Sequence, residues 1–426
     1  MVERMIDAGA ALAGLDPASL TAYGDRRGDD AATTAWRHRA LAALTAVPFP
    51  DRVRHLWRYT DPERLLPRRL LQPSGPAPLA AALPAGPAVR LEPGREPRLN
   101  DAARSCGLVI APLFADPADR ELIGRAVPVD HGYFEAINAA AFGAGLTIRA
   151  PRGFGLAAPL RVVVAADAGA DVLPRLLVIA EDGAALTVVE EHTGGGGGGC
   201  VIGVTEILIG ANAEVRHVLV QRWADGQVGH LTQRARLERD ARFFGATAGF
   251  GGAISKVDLG GLLAGEGARS ELVGVALPEG RQHLDHHTLH QHLAARTWSH
   301  IDFKVAVAGR ARSAYTGAIR IERDAPGSEA YQENRNLLLS DRARADTIPE
   351  LEIHTDDVSC SHGATAAPID PDQLFYLRSR GLSAPAARQL VVRGFVEPTL
   401  RQLPADLRAE LENLVDARLA RLREVG

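Results

Sequence analysis

One recurring turn constrains this chain more than any other feature. A small residue that follows a Gly-, Asn- or Asp-containing turn and leads into a β-branched run returns at near-constant spacing. The copies are "EDGAALTVVEEH" at Ala185, "IGANAEVRHVLVQ" at Ala213, "ERDARFFGATAG" at Ala241 and "GEGARSELVGVA" at Ala268, steps of 28, 28 and 27 residues. "AGRARSAYTGAI" at Ala311 and "SDRARADTIPEL" at Ala343 follow at 43 and 32. A tight corner repeated at fixed phase is what stacked coils require, because each corner must sit over the one beneath. The pattern favours a β-solenoid. A two-sheet sandwich would space its turns about 8 to 12 residues apart, and a doubly wound α/β fold would place long helices between the strands.

The flanks read differently. "AATTAWRHRALAALTAV" sets Trp36, Ala40, Leu44 and Val47 at helical spacing, and "TDPERLL" offers Thr60 or Asp61 as N-cap with Pro62 at the first helical position. Gln72 to Pro97 is a Pro-, Gly- and Ala-rich linker. After Asp370 helix returns: Asp370 and Ser383 are N-cap candidates, Gly381 is a stop, and Leu407, Leu411, Leu414 and Leu422 share a helical face. Those apolar faces are expected either to close one end of the solenoid or to dock a partner. The resulting division is a helical domain with linker over 1–98, a β-solenoid core over 99–363 and a C-terminal helical domain over 364–426.

At 426 residues and 46% apolar content the chain can bury a large core. A formal net charge of −4 gives no basic surplus for nucleic acid or an anionic membrane. The N-terminal stretch lacks the pattern of a secretory signal, and no apolar run is long enough to span a bilayer, so a cytoplasmic protein is expected. Cys106, Cys200 and Cys360 are odd in number and widely spaced, which argues for reduced thiols rather than a disulfide framework. With no C-x-x-C, the chain alone cannot build a four-thiolate cage.

Three features carry potential chemistry. In "ELEIHTDDVSCSHGAT", Cys360 and His362 stand at i and i+2, which on a strand places both on one face with Cα atoms roughly 6.5 Å apart. Thiolate and imidazole suit iron, zinc or the edge of a cluster, yet two ligands are half a site; a buried cysteine beside a surface histidine is the competing reading. Asp356 and Asp357 read as turn formers. "RQHLDHHTLHQHLAARTWSH" packs six of the fourteen histidines into 20 residues, but without the spacing of a zinc motif. On a strand His286, His290 and His292 share one face and His283 and His287 the other, so a ladder of hydrogen-bonded imidazoles is expected rather than a dedicated metal site. The glycines from Gly194 to Gly199 lack the Lys and Ser/Thr of a phosphate loop and read as a hairpin connection.

"NRNLLLSDRARADTIPELEIHTDDVSCSHGAT", followed by "IDPDQLFYLRSRGLSAPAARQLVVRGF", resembles the C-terminal signature of the SufB/SufD family of iron–sulfur cluster assembly proteins, with "DDVxCSHGAT" in its SufD form. "LWRYTDPERL" and "VAGRARSAYTGAIRI" resemble the family as well. The resemblance implies a right-handed parallel β-helix between N- and C-terminal α-helical domains, in agreement with the turn spacing. It implies a non-enzymatic scaffold that pairs with a SufB-like chain and binds a SufC-like ABC ATPase through its C-terminal helical domain, between about Asp370 and Val425. The isolated chain would hold no tightly bound cofactor; a transient iron–sulfur cluster would be shared with the partner, and a homodimer is the form open to the chain by itself. By position, Cys360 and His362 match the motif residues at the scaffold interface. Two other classes stand beside this reading: an interaction protein with no metal role, and a β-helix enzyme acting on polysaccharide, which 5% aromatic residues and the lack of an evident acid pair disfavour.

Overall fold

In the computed structural model the structure describes residues 12, 14–53, 55–71, 82–92, 95–166, 169–194, 198–403 and 405–421. The chain winds about eight coils, each contributing one strand to each of two sheets. The first sheet stacks Ala88–Leu91, Leu160–Ala166, Ala185–Gly194, Glu214–Arg222, Arg242–Gly249, Arg269–Ala276, Trp298–Val307, Ser328–Leu338 and Val358–Pro368 in parallel, with Arg98–Leu99 antiparallel at its start. The second stacks Ala144–Ala150, Pro174–Ala180, Cys200–Ile209, Val228–Leu237, Ile254–Leu263, His283–His292, Arg312–Ile321 and Arg344–Ile353, begun by antiparallel Val109–Pro112. This is the mainly β solenoid with flanking helices that the turn spacing calls for.

The corners explain the repeat. Gly153, Gly183, Asn212, Asp240, Gly267, Arg296 and Gly327 all adopt left-handed backbone at one corner. Each donates its N–H to a carbonyl one coil on: Gly183 to Ala211 at 2.9 Å, Asn212 to Arg239 at 2.9 Å, Asp240 to Glu266 at 2.9 Å, Gly327 to Asp357 at 2.7 Å. Left-handed backbone costs least for Gly, Asn and Asp, so those types mark the turn. The next residue points inward over its counterpart, and Ala213, Ala241 and Ala268 are buried there. Ala184, not Ala185, occupies this phase in the first copy, since Ala185 pairs with Glu214. The step of 43 has a geometric cause: Ala268 is followed at the same corner by Thr297, whereas Ala311 and Ala343 precede the second sheet's strands at the opposite corner. The glycine run joins strands of different sheets, so its hairpin reading is corrected to a solenoid corner; residues 195–197 lie outside the described residues. The first part of the Pro- and Ala-rich linker, 72–81, does as well, along with Leu422, while the rest of it includes the strand Ala88–Leu91.

The helices lie along the flanks. Helix Ala31–Ala46 is capped by Asp30 and buries Trp36, Ala40 and Leu44; with helix Tyr133–Ala141 it covers the outer face of the second sheet at Leu177, Ile179, Ile202 and Leu208. Asp61 caps the short helix Pro62–Leu65 as expected. Helices Ala384–Leu400 and Ala405–Arg421 set Val392, Val396, Leu407, Leu411 and Val415 against Val218, Val220, Ala246, Val273 and Val275 on the outer face of the first sheet. They do not close the solenoid end. Among the described residues the last two strands, Arg344–Ile353 and Val358–Pro368, each pair on one side only, and residues 361–368 are exposed throughout.

Candidate functional site

Cys360 and His362 both sit on Val358–Pro368, the final strand of the first sheet. Register pairs Cys360 with Ala330 and His362 with Gln332. Ala330 faces the solenoid interior, so the alternation of the strand turns Cys360 and His362 toward the same side, over the end of the core. Their environments differ. Cys360 is half-buried and packs against the core cluster, and that burial pushes its thiol up, away from the reactive thiolate. His362 is exposed and makes no hydrogen bond among the described residues, leaving its imidazole free to ligate. Asp356 and Asp357 form the bend before the strand and are exposed; the Asp357 carbonyl accepts from Gly327. Cys106 and Cys200 are remote in the chain and in the coil stack. Cys200 faces outward beneath the N-terminal helices, where its Sγ donates to the Leu65 carbonyl at 3.0 Å.

The histidine-rich segment is the strand His283–His292, and its two faces divide as the spacing requires. The expected imidazole ladder is corrected: among the described residues these rings bond to hydroxyls and carboxylates rather than to one another. His290 Nε2 meets Ser270 Oγ at 2.8 Å, and His292 bonds Thr297 Oγ1 at 2.7 Å and Ser299 Oγ at 2.8 Å. Burial pushes His286 and His292 down to about 4, which keeps both neutral in the core. Outward-facing His287 pairs with Asp258, and His283 Nε2 with Thr60 Oγ1 at 2.8 Å.

A second constellation escaped the sequence reading. On the outer face of the second sheet His131, Glu135 and Asp258 bring one donor atom each within 4.8 Å of one another. His131 and Glu135 are four residues apart at the start of a helix, a spacing visible in the sequence; Asp258 is more than a hundred residues away and is brought in only by the coil stack. Elsewhere a cavity of about 890 Å³ lies between the solenoid corner at Gly252, Gly280 and Gly309 and the helices at Arg388 and Leu419; neither Cys360 nor His362 lines it. No helix among the described residues is long and apolar enough to cross a membrane.

Comparison with known proteins matches residues 163–395 to the family model described as SUF system FeS cluster assembly, SufBD core domain, 233 of the chain's 426 residues. An iron–sulfur cluster assembly SufBD family protein of Mycobacterium leprae is 34% identical over 216 residues, 51% of this chain and 25% of the relative. A SufBD family protein of Staphylococcus epidermidis is 28% identical over 299 residues, and the iron–sulfur cluster assembly protein SufB of Bacillus subtilis 29% over 299, each match covering 70% of this chain and 64% of the relative. The chain thus spans a quarter of the mycobacterial relative and under two thirds of the other two.

Proposed function

The chain belongs to the SufBD family of iron–sulfur cluster assembly proteins, and from that premise we propose that it is a non-catalytic, SufD-like scaffold subunit that completes a cluster-assembly site with a SufB-like partner. One observation carries this reading: an exposed imidazole and a half-buried thiol share the last strand of an open-ended solenoid. A [2Fe–2S] or [4Fe–4S] cluster takes four protein ligands, and this strand offers two. The strand also has an unpaired edge, so a second solenoid end laid against it brings further donors to Cys360 and His362 while satisfying backbone groups on both sides. His362 is the leading ligand; Cys360, with its raised pKa, becomes a ligand when iron displaces its proton.

The docking of a SufC-like ABC ATPase falls to the C-terminal helices between about Asp370 and Val425. What supports this is apolar surface without cover: Phe375 and Tyr376 on helix Pro371–Ser379 and Leu390 on helix Ala384–Leu400 are exposed, while the opposite faces of the last two helices are spent on the sheet. Motion of bound ATPase subunits would reach Cys360 and His362 through helix Pro371–Ser379, which follows their strand after two residues.

The test is anaerobic reconstitution with the co-expressed scaffold partner and ATPase. His362→Ala is expected to lose most of the cluster yield, read by visible absorption and by iron and sulfide content, while the complex stays intact on gel filtration. Unchanged yield removes His362 from the site. The half-buried state of Cys360 favours one alternative, an interaction protein whose cysteine only packs. That alternative requires Cys360 to resist alkylation equally in the free chain and the complex, and cluster yield to ignore Cys360→Ser.

A further inference from the structure

We propose that His131, Glu135 and Asp258 form a divalent transition-metal site on the flank of the solenoid, separate from the strand that carries Cys360 and independent of the scaffold reading. His131 and Glu135 bracket the start of helix Tyr133–Ala141, and Asp258 projects outward from strand Ile254–Leu263 beneath it. One imidazole and two carboxylates are a donor set for Zn²⁺, Mn²⁺ or Fe²⁺. Bonds of about 2.0–2.2 Å draw such donors closer than the 4.8 Å that encloses them here, a side-chain adjustment rather than a rebuilding of the backbone.

Three details distinguish this from a closed network of ion pairs. Each carboxylate uses one oxygen for its protein partners. Glu135 Oε1 accepts from His230 Nε2 at 2.9 Å and from the Thr232 hydroxyl, and Asp258 Oδ1 accepts from Arg234 Nη2 at 2.8 Å and from His287 Nδ1. Glu135 Oε2 and Asp258 Oδ2 take no hydrogen bond from described residues. Fixing one oxygen and leaving the other is how outer partners orient a carboxylate ligand. Next, His131, the third donor, makes no side-chain hydrogen bond among the described residues, and it stays at the surface, where water completes the coordination. Finally, the helix N-cap is Gly132, and a Cβ there would lie 2.3 Å from Glu135 Oε2, so any other residue would push the free oxygen out of the place it holds. An ion-pair network between His230, Arg234, His287 and the two acids needs neither His131 nor the space at Gly132.

The experiment titrates full-length protein, stripped with chelator, with Co²⁺ followed by its visible d–d bands, and then with Zn²⁺ by calorimetry. A Cys360→Ser/His362→Ala background keeps the end-strand donors out of the measurement. One Co²⁺ per chain is expected in that background, with affinity reduced about tenfold or more by His131→Ala. His131 lies at the surface, so its loss should leave the melting temperature of the metal-free protein unchanged; at one fixed Zn²⁺ concentration the rise in melting temperature should be smaller in the His131→Ala variant than in the background chain, in step with its weaker affinity. Gly132→Ala should weaken binding in the same direction. No Co²⁺ bound in the background chain, or His131→Ala binding with undiminished affinity, overturns the proposal.

Discussion

The clearest residue-scale consequence of the structure is acid sensitivity. His286 and His292 are buried in the coil stack, and burial holds both near 4 against an ordinary value of 6.5. His290, between them, is lowered in the same direction by burial first and by its neighbours His292 and His300 second. In the unfolded chain these rings take up protons as pH drops through 6.5, while in the folded chain they stay neutral down to about 4. Between those values the unfolded state binds more protons, so stability is complete above pH 6.5 and is lost as pH falls, by about 1.4 kcal/mol per pH unit for each ring fully in that window. Urea midpoints taken from about pH 7 down to about pH 5 should therefore decline, and His286→Leu should flatten the decline; a midpoint level across the range would show that the rings are not held neutral. The sequence disclosed the two faces of this strand because a period of two suffices for that. It could not disclose the ring partners: Ser270, Thr297 and Ser299 are set beside the imidazoles by corners and register. Cys360 and His362 were legible for the opposite reason, since two residues apart on a single strand is a local relation that needs no tertiary knowledge.

Among elements, the corner left the strongest trace and also the strongest false one. A left-handed residue followed by a small inward one repeats at a single corner, and Gly183, Asn212, Asp240 and Gly267 announce it by type. Arg296 holds the same backbone state without the type, and Thr297 replaces alanine behind it, so the series was lost there and picked up again at the other corner. Stacked contact at this phase predicts that Ala241→Leu, at a fully buried position, overpacks the corner and costs about 1–3 kcal/mol, whereas Arg242→Leu at its exposed neighbour is nearly neutral. Matched shifts of the two urea midpoints would remove the corner from the list of what holds the coils. The flank helices were legible as helices but not as to place. Their caps and leucine spacing are local, while the choice of the first sheet's outer face depends on small and β-branched residues at Val218, Val220, Ala246, Val273 and Val275, which in sequence are merely the alternate positions of strands. Leu411→Ala at that seam should loosen the last two helices by about 2–5 kcal/mol and speed their proteolytic release from an otherwise intact solenoid; an unchanged cleavage rate would mean that the helices are held from elsewhere.

For the whole molecule the deciding fact is that, among the described residues, the last strand of each sheet is paired on one side only. Solenoid coils gain stability from the neighbour on each side, and natural arrays protect the terminal coil with a polar or helical cap. Here helices run along both flanks, yet Arg344–Ile353 and Val358–Pro368 keep a bare edge, and the exposed face of the final strand, "GATAAP" at 363–368, carries neither a charge nor a bulky side chain to repel a second strand. Such an edge is a template for pairing with another chain, and the same edge presents Cys360 and His362, so under the proposed scaffold role association and ligand completion would be one event. Ala364 lies two residues past His362 and pairs with Asn334, inside the edge and away from both donors' backbone partners. A lysine there should place an unpaired charge in any solenoid-to-solenoid contact, the device by which natural sheets block edge pairing. Ala364→Lys is accordingly expected to leave the melting temperature of the isolated chain within about 1 °C, because an exposed substitution changes stability by less than about 0.5 kcal/mol, while abolishing association with a scaffold partner in light scattering and, with it, cluster yield. Association that survives the lysine would locate the contact on another surface and take the end strand out of the proposed assembly site.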